Sequence, residues 1–270
     1  MAELRVVKAH AYGNDFLLVP HADAPSDGSR LARALCGRHD GIGADGLILY
    51  TLRSRGATMT LFNADGSASE LSGNGLRCLA ALVVRTQDLA GGTTVAIDTT
   101  AGAKQLDLLA RDEERYTFRA AMGPAEDLQQ TTIAVGTEAV TATLLRVGNP
   151  QCVVLGPLPD PGRFAYLGPA LCTHPRFPGG TNVGFAQVEA SHRVRMLIWE
   201  RGVGPTRSSG TGACAAAVAA AAHGGAAREV EVIAPGGIQT VEWRDDGVYL
   251  TGWADIVLEG EWVRGQPAET

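Results

Sequence analysis

Two short segments have the residue types and spacing for chemistry: Ser72-Gly73-Asn74-Gly75 and Ser209-Gly210-Thr211-Gly212. Each precedes a stretch that reads as helix, about Asn74–Thr86 and about Thr211–His223, closed by Gly91-Gly92 and Gly224-Gly225. A glycine-rich turn entering a helix leaves backbone N–H groups unpaired at the positive end of the helix dipole. Such an end suits an anion: a carboxylate, a phosphate or an oxyanion. Taken singly, each turn also reads as a plain N-cap serine followed by permissive glycines. Two equivalent turns converging on one point would hold a carboxylate tightly and stabilise negative charge developing on it.

The two segments lie 137 residues apart, and other pieces repeat at nearly that offset. Gly13-Asn14 matches Gly148-Asn149, Gly43-Ala44-Asp45 matches Gly180-Thr181-Asn182, and Phe62-Asn63 falls on Trp199-Glu200. Val95-Ala96-Ile97 with Gly102 falls on Val230-Glu231-Val232 with Gly237. The order is kept and the period is about half of 270 residues, so the pattern is a tandem pair of similar domains and not a solenoid. A pseudo-two-fold relation would bring equivalent elements face to face, where small-molecule sites often lie. Asn14, Asn63, Asn74, Asn149 and Asn182 recur at turns and strand ends of this pattern. Asparagine there is commonly local backbone chemistry; at matched places it reads as hydrogen-bond fingers around a polar ligand. Glu200-Arg201 falls on the repeat partner of Asn63, which gives a pair otherwise expected on a solvated face a ligand role.

The elements that must position these residues are mostly strands. Val6–Val19, Thr58–Asn63, Thr93–Thr99, Lys104–Ala110 and Arg115–Ala121 are rich in β-branched and aromatic residues. So are Ala139–Val147, Gln151–Leu155, Asn182–Val188, Val194–Trp199, Glu229–Ile233, Ile238–Trp243 and Gly247–Leu250. A shorter helix is expected over about Ser29–Arg38. Many strands around one prominent helix per half reads as an α+β fold of curled sheets wrapping that helix. The linker between halves is expected near Gly123-Pro124.

Composition excludes several classes. Lys+Arg 23 against Asp+Glu 29 gives a net charge of −6, with no basic run, so neither nucleic acid nor a membrane surface is expected as a partner. The longest apolar run, Ala213–Ala222, is too short to span a bilayer, and the first residues read as a strand, so the expected compartment is the cytoplasm. Cys36, Cys78, Cys152, Cys172 and Cys214 are odd in number and hold no Cys-x-x-Cys, which argues against a disulfide framework and a zinc site. Only Lys8 and Lys104 are lysines, one in the first strand and one after a glycine in a turn, so a pyridoxal-phosphate Schiff base is not expected. Neither a structural zinc site nor a pyridoxal-phosphate site is therefore expected.

One family carries the whole set of segments in order. His10-Ala-Tyr-Gly-Asn-Asp-Phe16, Arg38-His-Asp-Gly-Ile-Gly-Ala-Asp-Gly46, Phe62-Asn-Ala-Asp-Gly66 and Ser72-Gly-Asn-Gly-Leu-Arg-Cys78 are followed by Gly148-Asn-Pro-Gln-Cys152 and Thr181-Asn-Val-Gly-Phe185. Glu200-Arg-Gly-Val-Gly204 and Ser209-Gly-Thr-Gly-Ala-Cys214 complete it. The chain thereby resembles the diaminopimelate epimerases, which are cofactor-independent amino-acid epimerases. The resemblance implies two pseudo-symmetric domains, each a β-barrel-like sheet around a central helix: residues 1–118 with a returning strand in 249–270, and residues 119–248. It implies a homodimer and the conversion of LL- to meso-diaminopimelate, feeding lysine and peptidoglycan synthesis. By position, Gly73, Asn74, Gly210 and Thr211 would meet the α-carboxylate through their backbone. Asn14, Asn63, Asn149, Asn182, Glu200 and Arg201 would bind the other polar groups, with the Arg201 guanidinium suited to the distal carboxylate.

The departures lie at the catalytic centre. The family places a cysteine at each helix start to move the α-proton; here these are Ser72 and Ser209. The histidine expected after Gly-Asn-Pro is Gln151. A thiol titrates near ~8.5 and lower at a helix N-terminus, whereas a hydroxyl lies near that of water, about 15.7. At ~1.36 kcal/mol per unit the difference is on the order of 10 kcal/mol, so a serine base needs another group to take its proton. Gln151 cannot do so; Glu200 could assist Ser209. Cys78 and Cys214 follow the serines by six and five residues, which turns them roughly 120–140° away around the helix, toward the core.

Three readings of the serines are open at this level: an introduced pair in an otherwise active enzyme, a different acid–base pair, or a homologue that binds or racemises another amino acid with impaired turnover. A non-catalytic amino-acid-binding module would never exchange the α-proton. A phenazine-type isomerase would need a carboxylate where Ser72 or Ser209 stands, and a serine hydrolase would need a histidine beside one of them.

Overall fold

The computed structural model describes residues 3–69, 72–100 and 102–263. The chain forms two compact units that divide between Phe118 and Arg119 and again between Gly252 and Trp253.

The first unit is built on two parallel strand pairs, each bridged by a helix. β1 (Glu3–Ala11) and β2 (Asn14–Pro20) form an antiparallel hairpin; β2 then pairs in parallel with β3 (Gly46–Arg53) after helix α1 (Gly28–Cys36). β3 pairs with β4 (Gly56–Asn63), which also meets the two-residue β5 (Ala68–Ser69). β4 pairs in parallel with β6 (Thr94–Thr99) after helix α2 (Gly73–Gln87), and β6 with β7 (Gly102–Asp112).

The second unit uses the same order. β8 (Arg115–Gly123) leads to β9 (Glu126–Val135), and β9 pairs with β10 (Glu138–Val147). β10 pairs with β11 (Asn149–Leu155), and β11 runs parallel to β12 (Asn182–Ala190) after α3 (Pro161–Cys172). β12 pairs with β13 (Arg193–Glu200), which holds the short β14 (Gly204–Thr206). β13 runs parallel to β15 (Glu229–Ala234) after α4 (Gly210–His223), and β15 pairs with β16 (Gly237–Arg244). The last strand, β17 (Gly247–Val263), pairs first with β16 and then, from Asp255 on, with β1. The fold is α+β, a barrel-like sheet around one central helix in each unit.

Where β2 pairs with β3 and β11 with β12 both faces are covered, and these strands read as apolar runs. In the second unit the inner face packs Leu145, Val153, Met196, Val232 and Leu250 on α4, and the outer face packs Val140, Val183 and Phe185 on α3. α4 is nearly all alanine and glycine from Gly210 to Ala220 and is buried on every side. An apolar helix without a polar stripe belongs inside. α2 is likewise buried from Asn74 to Val84.

Several elements differ from the sequence expectation. The stretch Val6–Val19 is two strands, because Tyr12 (φ 58°) and Gly13 (φ 82°) form a two-residue turn with Ala11 opposite Asn14. Positive φ at both turn residues matches the twist of a tight hairpin, and it sets Asn14 at the strand start. α3 was hidden by Gly162, Gly168 and Pro169; Gly168 is required because a Cβ there would lie 2.6 Å from the Trp199 ring. β3 and β9 were unmarked, the first a continuous apolar run and the second mostly polar. Gly123-Pro124 joins β8 to β9 and is no domain linker; the division of units falls inside β8. Lys104 lies in β7, as its expected strand requires.

Candidate active site

In the first unit, Ser72 caps α2 in extended geometry (φ −135°, ψ 121°), and its Oγ accepts the Gly75 N–H at 3.1 Å. The Ser72 carbonyl accepts from Leu76 N–H. The Gly75 N–H is thus capped, and the Leu76 N–H makes the first intrahelical bond. Among the described residues, the N–H groups of Gly73 and Asn74 have no intrahelical or capping acceptor. A Cβ on Gly73 would meet nothing within 4 Å, so open space lies beside this end, whereas one on Gly75 would crowd Ile48 at 3.2 Å.

Asn74 is 5 % exposed. Its Nδ2 donates to Asn14 Oδ1 at 3.2 Å, and its Oδ1 accepts from the buried Arg77. Asn14 Nδ2 donates to Asp45 Oδ2 at 2.9 Å. Asp45 is tied by its other oxygen to Arg38 at 2.8 Å, and Arg38 also pairs with Asp15 at 3.0 Å. Burial alone would raise the Asp15 carboxyl, but Arg38 and Lys8 outweigh it and hold the carboxyl below its ordinary range. Asn63 stands apart from this group: its Nδ2 donates to Ser67 Oγ at 2.8 Å within the turn that follows β4.

The second unit repeats the cap. Ser209 (φ −140°, ψ 124°) accepts Gly212 N–H at 3.3 Å on Oγ and Ala213 N–H on its carbonyl. Gly210 and Thr211 therefore keep the two N–H groups without helix or cap acceptors. The Ser209 and Thr206 hydroxyls lie close enough to the Glu200 carboxyl to favour its ionised form, although Thr206 Oγ1 is buried without a hydrogen-bond partner of its own among the described residues. Burial pushes the Glu200 carboxyl above its ordinary value, and the nearby hydroxyls of Ser209 and Thr206 only partly oppose that.

Gln151, buried, donates from Nε2 to Asn149 Oδ1 at 2.5 Å and to Thr211 Oγ1 at 3.2 Å. Both amide hydrogens are thus engaged, leaving Oε1 as its acceptor. Asn182 Oδ1 accepts the Arg201 backbone N–H at 2.9 Å, and the Arg201 guanidinium donates to Gly179 O at 2.8 Å while remaining exposed.

The structure thus groups Ser72, Gly73, Asn74 and Asn14 in one unit. In the other it groups Ser209, Gly210, Thr211, Asn149 and Glu200, with Asn182 joined to Arg201. Residues the sequence reading left unassigned are Arg77, Asp45 and Thr206. Arg77 had a signal: it stands three residues after Asn74 on a helix, where side chains are neighbours. The cysteines offer no substitute base. Cys78 and Cys214 are buried in the core, and burial pushes the thiols of Cys36 and Cys152 up to about 12 and that of Cys78 higher still. Among the described residues no group of three or more His, Cys, Asp or Glu is placed to hold a metal ion, and no helix is long and apolar enough to cross a membrane.

Known proteins resemble the chain along nearly its whole length. A family profile described as diaminopimelate epimerase matches residues 6–128 and 143–257. The chain is 41 % identical over 280 residues to the diaminopimelate epimerase of Desulforudis audaxviator, covering 97 % of this chain and 100 % of the relative. It is 40 % identical over 276 residues to that of Moorella thermoacetica, covering 96 % and 99 %. Among solved structures, a predicted epimerase from Pseudomonas aeruginosa shares the fold at TM-score 0.72 and 15 % identity, over 97 % of this chain and 100 % of that one. A hydroxyproline epimerase from Agrobacterium vitis does so at TM-score 0.67 and 18 % identity, over 97 % and 91 %. The chain belongs to the diaminopimelate epimerase family, and it is an isomerase of the epimerase type.

Proposed function

We propose that the protein interconverts LL- and meso-diaminopimelate by α-proton transfer without a cofactor, in the cytoplasm and as a homodimer, with Ser72 and Ser209 each serving one face of the α-carbon. The observation that carries this reading is the matched cap accounting. At each central helix a serine satisfies one N–H with its hydroxyl and one with its carbonyl, and two N–H groups remain beside it. Those donors suit the substrate α-carboxylate, onto which charge moves as the α-proton leaves.

The two serines are not equivalent. On the Ser209 face, the α-proton passes to Oγ as the serine's own proton passes to the Glu200 carboxylate. The electron pair stays on the α-carbon, delocalised into the α-carboxylate. Glu200 thereby removes the need for a free alkoxide, whose cost relative to a thiolate is on the order of 10 kcal/mol. On the other face Ser72 gives its hydroxyl proton to the α-carbon as solvent water protonates its oxygen, and the proton held by Glu200 returns to the hydroxide so formed, which closes the cycle without a free alkoxide. Asn149, Asn182 and Arg201 bind the remaining polar groups, and Asn63 joins them on leaving its turn contact with Ser67. Ser72 has no carboxylate assigned to it, and this asymmetry favours a second reading: a divergent homologue that turns over slowly or on another amino acid.

The test is α-proton exchange of LL-diaminopimelate in D₂O followed by NMR, with this chain and with a Ser72→Cys/Ser209→Cys variant. Deuterium uptake with inversion by this chain, and faster uptake by the cysteine variant, is expected. Uptake by the cysteine variant alone establishes an intact pocket lacking its acid–base pair. No uptake by either sinks the epimerase reading for diaminopimelate.

A further inference from the structure

Arg77 is the largest side chain buried almost completely, at 1 % exposure. Its guanidinium lies 5.7 Å from the Tyr12 ring centroid and donates through Nη2 to the neutral amide of Asn74. Tyr12 is itself buried and fixed, its hydroxyl accepting the Trp253 N–H at 3.1 Å. This guanidinium, held in place by burial, fixes which way the Asn74 amide points.

We infer that Arg77 is a positioning residue that sets the orientation of the Asn74 and Asn14 amides, and so makes this half of the site a cluster of hydrogen-bond donors selective for a carboxylate. A guanidinium can only donate and a carboxylate can only accept. Arg77 at one end forces Asn74 to present Oδ1 inward. Asn74 must then offer Nδ2, which meets Asn14 Oδ1 at 3.2 Å. Asn14 in turn offers Nδ2 to Asp45 at 2.9 Å. Asp45 closes the chain as an acceptor, anchored by Arg38 and by the Asp15 backbone N–H at 3.1 Å.

An asparagine alone is free to flip, since its oxygen and nitrogen occupy equivalent positions. Here the charges at both ends allow one direction only. Each Nδ2 uses one hydrogen in the chain and keeps one. Together with the Gly73 and Asn74 backbone N–H groups, the α2 end offers donors to a ligand's carboxylate oxygens. An amide turned the other way would present an oxygen and repel that carboxylate. The inference rests on the amino-acid reading of the site but adds the residue that gives it polarity.

The test compares Arg77→Met, Arg77→Lys and Leu79→Ala, the last a core truncation in the same helix. Diaminopimelate affinity is read by calorimetry, and the side-chain amide signals of Asn14 and Asn74 by ¹⁵N NMR. Arg77→Met is expected to weaken binding at least tenfold and shift both amides. Arg77→Lys, which still donates, should stay within about threefold of the parent, and Leu79→Ala should leave affinity unchanged at lowered stability. Parent-like binding by Arg77→Met, or an equal loss in Leu79→Ala, overturns the inference. If Arg77→Met does not fold, Asp45→Ala removes the accepting end of the same chain, and parent-like affinity there overturns it equally. If the parent binds no diaminopimelate, the functional reading fails; the amide spectra then decide, and unchanged Asn14 and Asn74 signals in Arg77→Met reject the positioning role.

Discussion

Glu200 shows how one residue trades stability for chemistry. Its carboxyl is raised by burial, so the folded state binds its proton more tightly than the unfolded chain does. The stability this contributes is complete below the ordinary glutamate value and is lost as pH rises through the higher native one. Above that native value the buried, ionised carboxylate is a cost to the fold. Glu200→Gln is expected to raise the urea midpoint at pH 7, with the gain shrinking toward pH 4, while abolishing proton exchange on the Ser209 face. A midpoint shift independent of pH would contradict this. Asp15 has the opposite sign: Arg38 and Lys8 overcome its burial, so its contribution is present above the ordinary aspartate value and lost as acid titrates it. Much of the residue level was legible beforehand. The serines, the four N–H positions and the paired asparagines all follow from short motifs at a fixed offset. Asn63 bonding to Ser67, and the partners of Asn74, were not legible, because a side chain's choice between local and distant acceptors depends on packing.

At the scale of elements, each central helix is held between strands that run parallel, and close backbone approach sets their spacing. Gly56 of β4 faces Ala96 of β6, and a Cβ there would lie 2.2 Å from the Ala96 carbonyl oxygen. Gly56→Ala is expected to cost about 3 kcal/mol by overpacking, read as a lowered denaturant midpoint with unchanged slope. Ser72→Ala, which removes one cap acceptor, should cost only about 1 kcal/mol. A loss as large as that of Gly56→Ala would mean the hydroxyl does more for the fold than cap α2. The helix starts were readable within one residue because Ser-Gly turns are strong N-terminal signals. α3 was not: its glycine and proline are read as breakers until Trp199 is known to pack on Gly168.

At the scale of the molecule, the repeat seen in the sequence is a repeat of topology. Hairpin, crossover helix, antiparallel pair and central helix occur in the same order in both units. Five short matches could announce that order; they could not reveal that the strand joining the units, Gly247–Val263, belongs to both. This sharing has a consequence for biosynthesis. The second unit is continuous in the chain and is complete once Gly252 has been made. The first unit was begun earlier, yet β1 waits for its antiparallel neighbour from Asp255 onward. During translation β1 is an open edge, the kind of surface that recruits chaperones or other nascent chains. The half of the protein that emerges first from the ribosome is thus the half that finishes folding last.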